Sequence, residues 1–225
     1  MQNDAQIVFN AIFRFLLFSA FIAGMFGIMY VDIAVFHDQV KEISLTEISQ
    51  ETFLGLIVAI FVYLAVSKPL QRGFYELVAG FYAALLIREL DALFDYVWHG
   101  FWVYPAVAVS LMAIALAHHY KGSVLNGFAE FCQSKAYIIM VCGLVTLLIF
   151  SRLFGMGDFW KLVLSDGYVR IAKNIAEEGT ELLGYGFIFI ASSKYLLAQI
   201  GWNIDVAQAQ TQRLQNYTNL SKNNS

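Results

Sequence analysis

Charge is scarce in this sequence. Asp, Glu, Lys and Arg make up 14% of its 225 residues, against roughly 25% in an ordinary soluble domain. So few charges cannot cover a water-facing surface, which excludes the soluble globular class. Proline is scarcer still: Pro69 and Pro105 are the two in the chain, so long stretches carry no helix breaker. The two cysteines, Cys132 and Cys142, have no metal-type spacing and read as small apolar packing residues. A formal net charge of -3 argues against nucleic acid as a partner. No G-x-G-x-x-G, Walker loop, H-E-x-x-H or G-x-S-x-G occurs, so soluble nucleotide chemistry has no support. A bis-histidine haem needs two facing histidines at one depth. Only His37 and His99 share a side, and His37 falls in a loop, which argues against a b-type cytochrome.

What is abundant is apolar. Hydrophobic residues make up 59% of the chain and the mean hydropathy is +0.62, the signature of a polytopic membrane protein whose first partner is the lipid bilayer. A span of about 30 Å needs roughly 20 apolar residues at 1.5 Å each. Six windows qualify: 8–31, 48–67, 74–96, 101–118, 136–155 and 178–199. Runs this long predict helices and not barrel strands. The expected fold is an all-α integral membrane protein, a six-transmembrane-helix bundle over residues 1–202. Residues 203–225 form a polar tail too poor in apolar residues to order itself. Ser44-Leu-Thr-Glu47 reads as a capping box opening the second helix, and Lys68-Pro69 closes it. The connection 156–173, with FWKLVL at its centre, predicts a short helix lying in the outer interface.

Orientation follows the basic residues near span ends. With the N-terminus inside, Arg14, Lys68, Arg72, Lys121, Lys135, Lys194, Arg213 and Lys222 fall on the inner side, eight of the fourteen. Most acids fall outside. Both termini are therefore expected in the cytoplasm, with a bacterial inner membrane as the compartment.

Against this apolar background, ALLIRELDALFDYVWHG (84–100) places five ionisable groups at the end of the third window. Each costs roughly 2.5–3.5 kcal/mol at the centre of a bilayer. On a continuous helix Arg88, Asp91, Asp95 and His99 would share an arc of about 80°, with Glu89 about 100° from Arg88. The topology puts this stripe in the outer leaflet. Glu47 and Glu51 on the second helix, Arg152 on the fifth, and Glu177, Glu178 and Glu181 on the sixth fall at the same level. Glu47, Glu177 and His99 lie nearest the span ends and read most simply as solvated. The candidate ion-binding or proton-relay residues are Glu51, Arg88, Glu89, Asp91, Asp95, Arg152, Glu178 and Glu181.

Clustered acids with two arginines fit a site for a proton or a cation in transport, where burial and like charge oppose full ionisation. A six-helix chain of this kind is expected to need a second copy or another membrane protein to complete a pathway. One alternative is a membrane-embedded hydrolase or oxidase acting on a lipid-like substrate, with a divalent metal held by Asp95, His99, Glu178 and Glu181. Another is a structural or assembly subunit whose acidic face binds a partner.

Overall fold

A computed structural model describes residues 4–35, 44–167 and 169–223, with backbone alone for residues 166 and 202–223. His37 lies outside the described residues. The chain runs α1 (Asp4–Ala34), α2 (Leu45–Ser67), a 3-10 turn (Pro69–Gln71), α3 (Arg72–Glu89), α4 (Asp91–Phe94), α5 (Val103–His119), α6 (Lys121–Gln133) and α7 (Tyr137–Val145). A π turn (Thr146–Phe150) carries α7 into α8 (Ser151–Phe154); α9 (Gly157–Leu164), a 3-10 turn (Ser165–Gly167) and α10 (Arg170–Asn223) complete the order. Every regular element among the described residues is helical, so the all-α expectation holds.

Among the described residues, four helices are long and apolar enough to cross a membrane: Asp4–Ala34, Leu45–Ser67, Tyr137–Phe154 and Arg170–Gly201. A fifth is added if α5 and α6, bent by 100° at Tyr120, count as one broken span. The expected third span, 74–96, is corrected. α3 stops at Leu90, whose backbone leaves helical geometry (φ -82°, ψ 19°), and residues 91–102 fold into α4 and a series of turns. The turns that follow α4 are held locally. Asp95 accepts from the Gly100 backbone N–H at 2.9 Å and from the His99 ring at 2.8 Å, and Gly100 adopts φ +83°. Only glycine takes that backbone geometry without penalty.

α6 is an addition that the sequence reading passed over as a connection. It docks onto the start of α3, where Ser123 Oγ accepts from the Gly73 N–H at 2.7 Å. A Cβ on Gly127 would press on the Phe74 side chain at 2.6 Å. The short helix expected within 156–173 corresponds to α9. The backbone of α10 continues as helix through 203–223, the stretch expected to lack order. Beyond Gly201 that stretch holds neither glycine nor proline, so nothing local stops the helix.

The core sits where α2, α3, α7 and α10 meet. Leu54, Ile57, Phe61 and Leu64, at helical i,i+3/i+4 spacing, turn one face of α2 inward against Tyr75 and Tyr82 of α3 and Tyr185, Ile188 and Tyr195 of α10. Small residues let the backbones approach. A Cβ on Gly143 of α7 would stand 2.9 Å from the Ile188 nitrogen, and one on Gly184 would stand 3.0 Å from that of Leu147. Outside this core much apolar surface is exposed: on α1, Phe9, Phe15 and Phe26 are each about two-thirds accessible.

Candidate functional site: an acid-rich layer at one end of the bundle

The layer forms where α2 begins, α3 ends and α10 enters the core. Ser44 caps α2 by accepting from the Glu47 N–H at 3.1 Å. Asp32, almost fully buried near the end of α1, adds a second cap. Its carboxylate accepts from the Leu45 N–H (2.9 Å), the Thr46 N–H (2.7 Å) and the Thr46 hydroxyl (2.5 Å). This satisfies donors that the first turn of any helix leaves open and pins α1 to the site.

Two charge clusters result. In the first, Arg152 pairs with Glu181 and reaches Glu177 at 3.5 Å, while Lys173 donates to Glu177 at 2.7 Å. Two bases meet two acids. The π turn contributes here by inserting one extra residue just ahead of Arg152, which rotates α8 by about 100° about the helix axis. Gly155 also matters, since a Cβ there would run into the Glu177 carboxylate.

The second cluster is not balanced. Gln50, 1% exposed, donates through Nε2 to the Glu178 carbonyl (3.2 Å) and carboxylate (3.1 Å). Glu89 accepts from the Tyr185 hydroxyl at 2.7 Å and from Arg88. Glu47 lies within electrostatic reach of Glu178, Glu51, Glu89 and Asp91, and Glu51 within reach of Glu89. Arg88 is the base within this cluster, and Arg152 of the first cluster reaches Glu178 at range, so the acids still outnumber the bases. Three buried side-chain atoms have no hydrogen-bond partner here: Glu47 Oε2, Gln50 Oε1 and Arg88 Nε. Buried polar atoms are nearly always paired, so three orphans in one layer call for a physical reason.

The expected site residues therefore divide. Glu51, Glu89 and Glu178 meet around Glu47; Arg88 borders them through Glu89; Arg152 and Glu181 form the neutral cluster. Asp91 is exposed and acts on the layer only at range. Asp95 and His99 instead form an exposed local pair. The Gly100 N–H, and then His99, hold the Asp95 carboxyl below the usual range, while Asp95 draws His99 above the usual histidine range. The structure does not bring the metal candidates Asp95, His99, Glu178 and Glu181 together. No three His, Cys, Asp or Glu side chains among the described residues have metal-holding geometry, because the break at Leu90 takes Asp95 and His99 off the α3 stripe.

Sequence reasoning missed Gln50 and Asp32 and underrated Glu47. Its signal was available: a glutamine three residues after one glutamate and one before another, on an otherwise apolar helix. No protein-family model, curated protein or solved structure matches this chain.

Proposed function

We propose that this protein is a multi-pass membrane protein whose acid-rich layer binds a proton or a cation in the course of transport. In this reading α1, α2, α3, α5, α7–α8 and α10 form the six spans, and both termini face the cytoplasm of a bacterial inner membrane. The layer then lies in the outer leaflet. α3 is covered on both sides by α2 and α5, which offsets the cost of its four charged residues. The exposed phenylalanines of α1 fit a lipid-facing surface. The basic residues Lys68, Arg72 and Lys121 gather at the opposite, inner end, as the positive-inside tendency requires.

One observation carries the reading. Glu47 Oε2 and Gln50 Oε1 are buried acceptors without donors, in a cluster where acids outnumber bases. A network that only holds helices together would be closed; these acceptors need a donor, and an excess of acids around them favours a positive one. The experiment is reconstitution into liposomes holding a pH-sensitive dye, with a membrane potential or a cation gradient imposed. Flux above that of empty vesicles, abolished by Glu178→Gln and Glu51→Gln, is expected. Flux no greater than in empty vesicles for proton, Na, K, Mg and Ca would overturn the transport reading. A second copy or a partner membrane protein is expected to complete the pathway, so flux should rise more steeply than linearly with the ratio of protein to lipid.

A further inference from the structure

The two orphaned acceptors can be served by one proton. Glu47 and Gln50 stand three residues apart on α2, which puts their Cβ atoms about 5–6 Å apart on one face. In this arrangement the Gln50 amide is turned one way. Both atoms that Nε2 meets, the Glu178 carbonyl oxygen and Oε2, are acceptors, so the NH₂ must face Glu178 and the carbonyl oxygen must face away. That oxygen is buried on a side chain 1% exposed, and it lacks a donor. Glu47 Oε2 lacks one too. Two acceptors cannot bond to each other without a hydrogen between them.

The available donors can be ruled out in turn. The charges bearing on Glu47 are Glu51 on its own helix, Glu89 at the end of α3, Asp91 on α4 and Glu178 on α10, all acids. From α1, Asp32 spends its carboxylate on Leu45 and Thr46. Arg88 gives its Nη2 to Glu89; its Nε has no partner, and Arg88 is not among the charges bearing on Glu47. Arg152 is engaged with Glu177 and Glu181, and Lys173 with Glu177. A hard metal ion prefers about six or more oxygens, and no three-residue group with that geometry occurs among the described residues. A proton needs only the two oxygens.

Building on the transport reading, we propose that Glu47 is the carboxyl that carries the proton, its Oε2–H donating to Gln50 Oε1. Gln50 then links the carrier to Glu178. When the Glu47 O–H bond breaks and the proton passes to water, the carboxylate is left facing a carbonyl oxygen. Turning the Gln50 amide over gives Glu47 a donor and moves the repulsion to Glu178, which loses its donor and faces the amide oxygen instead. The amide is thus a two-position element that reports the protonation of Glu47 to α10.

Infrared difference spectroscopy of the full-length detergent-purified protein tests this, because a protonated carboxyl has a C=O stretch separate from that of a carboxylate. At neutral pH a protonated-carboxyl band is expected that vanishes on titration to high pH and is missing in Glu47→Gln. In Gln50→Leu the same band should move to higher frequency as its hydrogen bond is lost, a readout that survives if Glu47→Gln fails to fold. Identical neutral-pH carboxyl spectra in wild type and Glu47→Gln, or a band unmoved in Gln50→Leu, overturn the assignment. Liposome flux without a Glu47 band overturns this assignment and leaves the transport reading in place. A Glu47 band without flux supports the assignment and overturns transport.

Discussion

The two ends of the α2–α3–α10 core solve the same problem differently. At the end that the proposed topology makes the inner one, a carboxylate is closed off. Glu130 of α6 accepts from Gln71 Nε2 and Gln199 Nε2, one per oxygen, each at 2.7 Å. Beneath it the hydroxyls of Tyr75 and Tyr195 bond at 3.1 Å, and Arg72 pairs with Glu76 while lying 4.6 Å from the Tyr120 ring centroid. At the end that this topology makes the outer one, about 27 Å away along the 18 residues of α3, Glu47, Glu51, Glu89, Asp91 and Glu178 have Arg88 beside them and Arg152 only at range of Glu178. The orphaned buried atoms found among the described residues all lie at this end. Polarity used only to hold helices together can be fully paired, as half-buried Glu130 is. Polarity meant to exchange an occupant has to be left incomplete.

Substitutions can break this comparison. The largest effect is expected within the outer end, in its balanced half. Arg152→Ala strands Glu181, whose residue is 4% exposed, and should cost about 3 kcal/mol in a denaturation titration; Arg152 is itself half exposed, which keeps the loss at the low end for a broken buried pair. Next comes the inner end. Glu130→Gln replaces one of two accepting oxygens with an NH₂ facing another NH₂, and a loss of about 1–2 kcal/mol is expected by the same measurement. The identical change at Glu47 should have the opposite sign. Glu47→Gln brings a donor to Gln50 Oε1 and removes an acid from beside four others, so stability is expected to be unchanged or to rise by up to about 1 kcal/mol. Equal losses at positions 47 and 130 would erase the distinction between the ends.

The smallest effect belongs to Asp95 and His99. Its sign comes from the two shifts. His99 is raised, so its contribution is present below the ordinary histidine value of 6.5 and is lost as pH climbs through the raised one. Asp95 is lowered, so its contribution is present above the ordinary 3.8 and is lost as pH falls through the lowered one. The pair is exposed, and no measurable change in melting temperature is expected. An NMR titration should show the His99 midpoint falling in Asp95→Asn; an unchanged midpoint would dissolve the pair.

Much of the helical plan was legible because it rests on length and hydropathy, which need no tertiary information: α1, α2, α5, α7–α8 and the first part of α10 fall close to windows readable by eye. The break at Leu90 was not. Residues 90–97 continue a helical pattern by eye, and the turns after α4, held by the Asp95 carboxylate on the Gly100 N–H, leave no trace in that pattern. α6 was missed because LNGFAEFCQ reads as a connection until Gly73 and Phe74 are there to receive it. In the site, a search led by charge found Glu51, Glu89, Glu178 and Glu181 and passed over Gln50, which carries none. Glu47 was set aside because a span end suggests solvent; α10 and the end of α3 cover it instead.

Thermal unfolding of wild type, Glu47→Gln and Glu130→Gln at pH 6 and pH 8, with and without millimolar Na, Mg and Ca, tests most directly whether the outer layer has an exchangeable positive occupant. The account predicts that the melting temperature of wild type responds to pH or to a cation, that Glu130→Gln keeps this response from a lower baseline, and that Glu47→Gln loses it, since an occupant bound only by the folded state stabilises that state by linkage. A melting temperature indifferent to both variables in wild type, or a response that Glu47→Gln leaves intact, would contradict it.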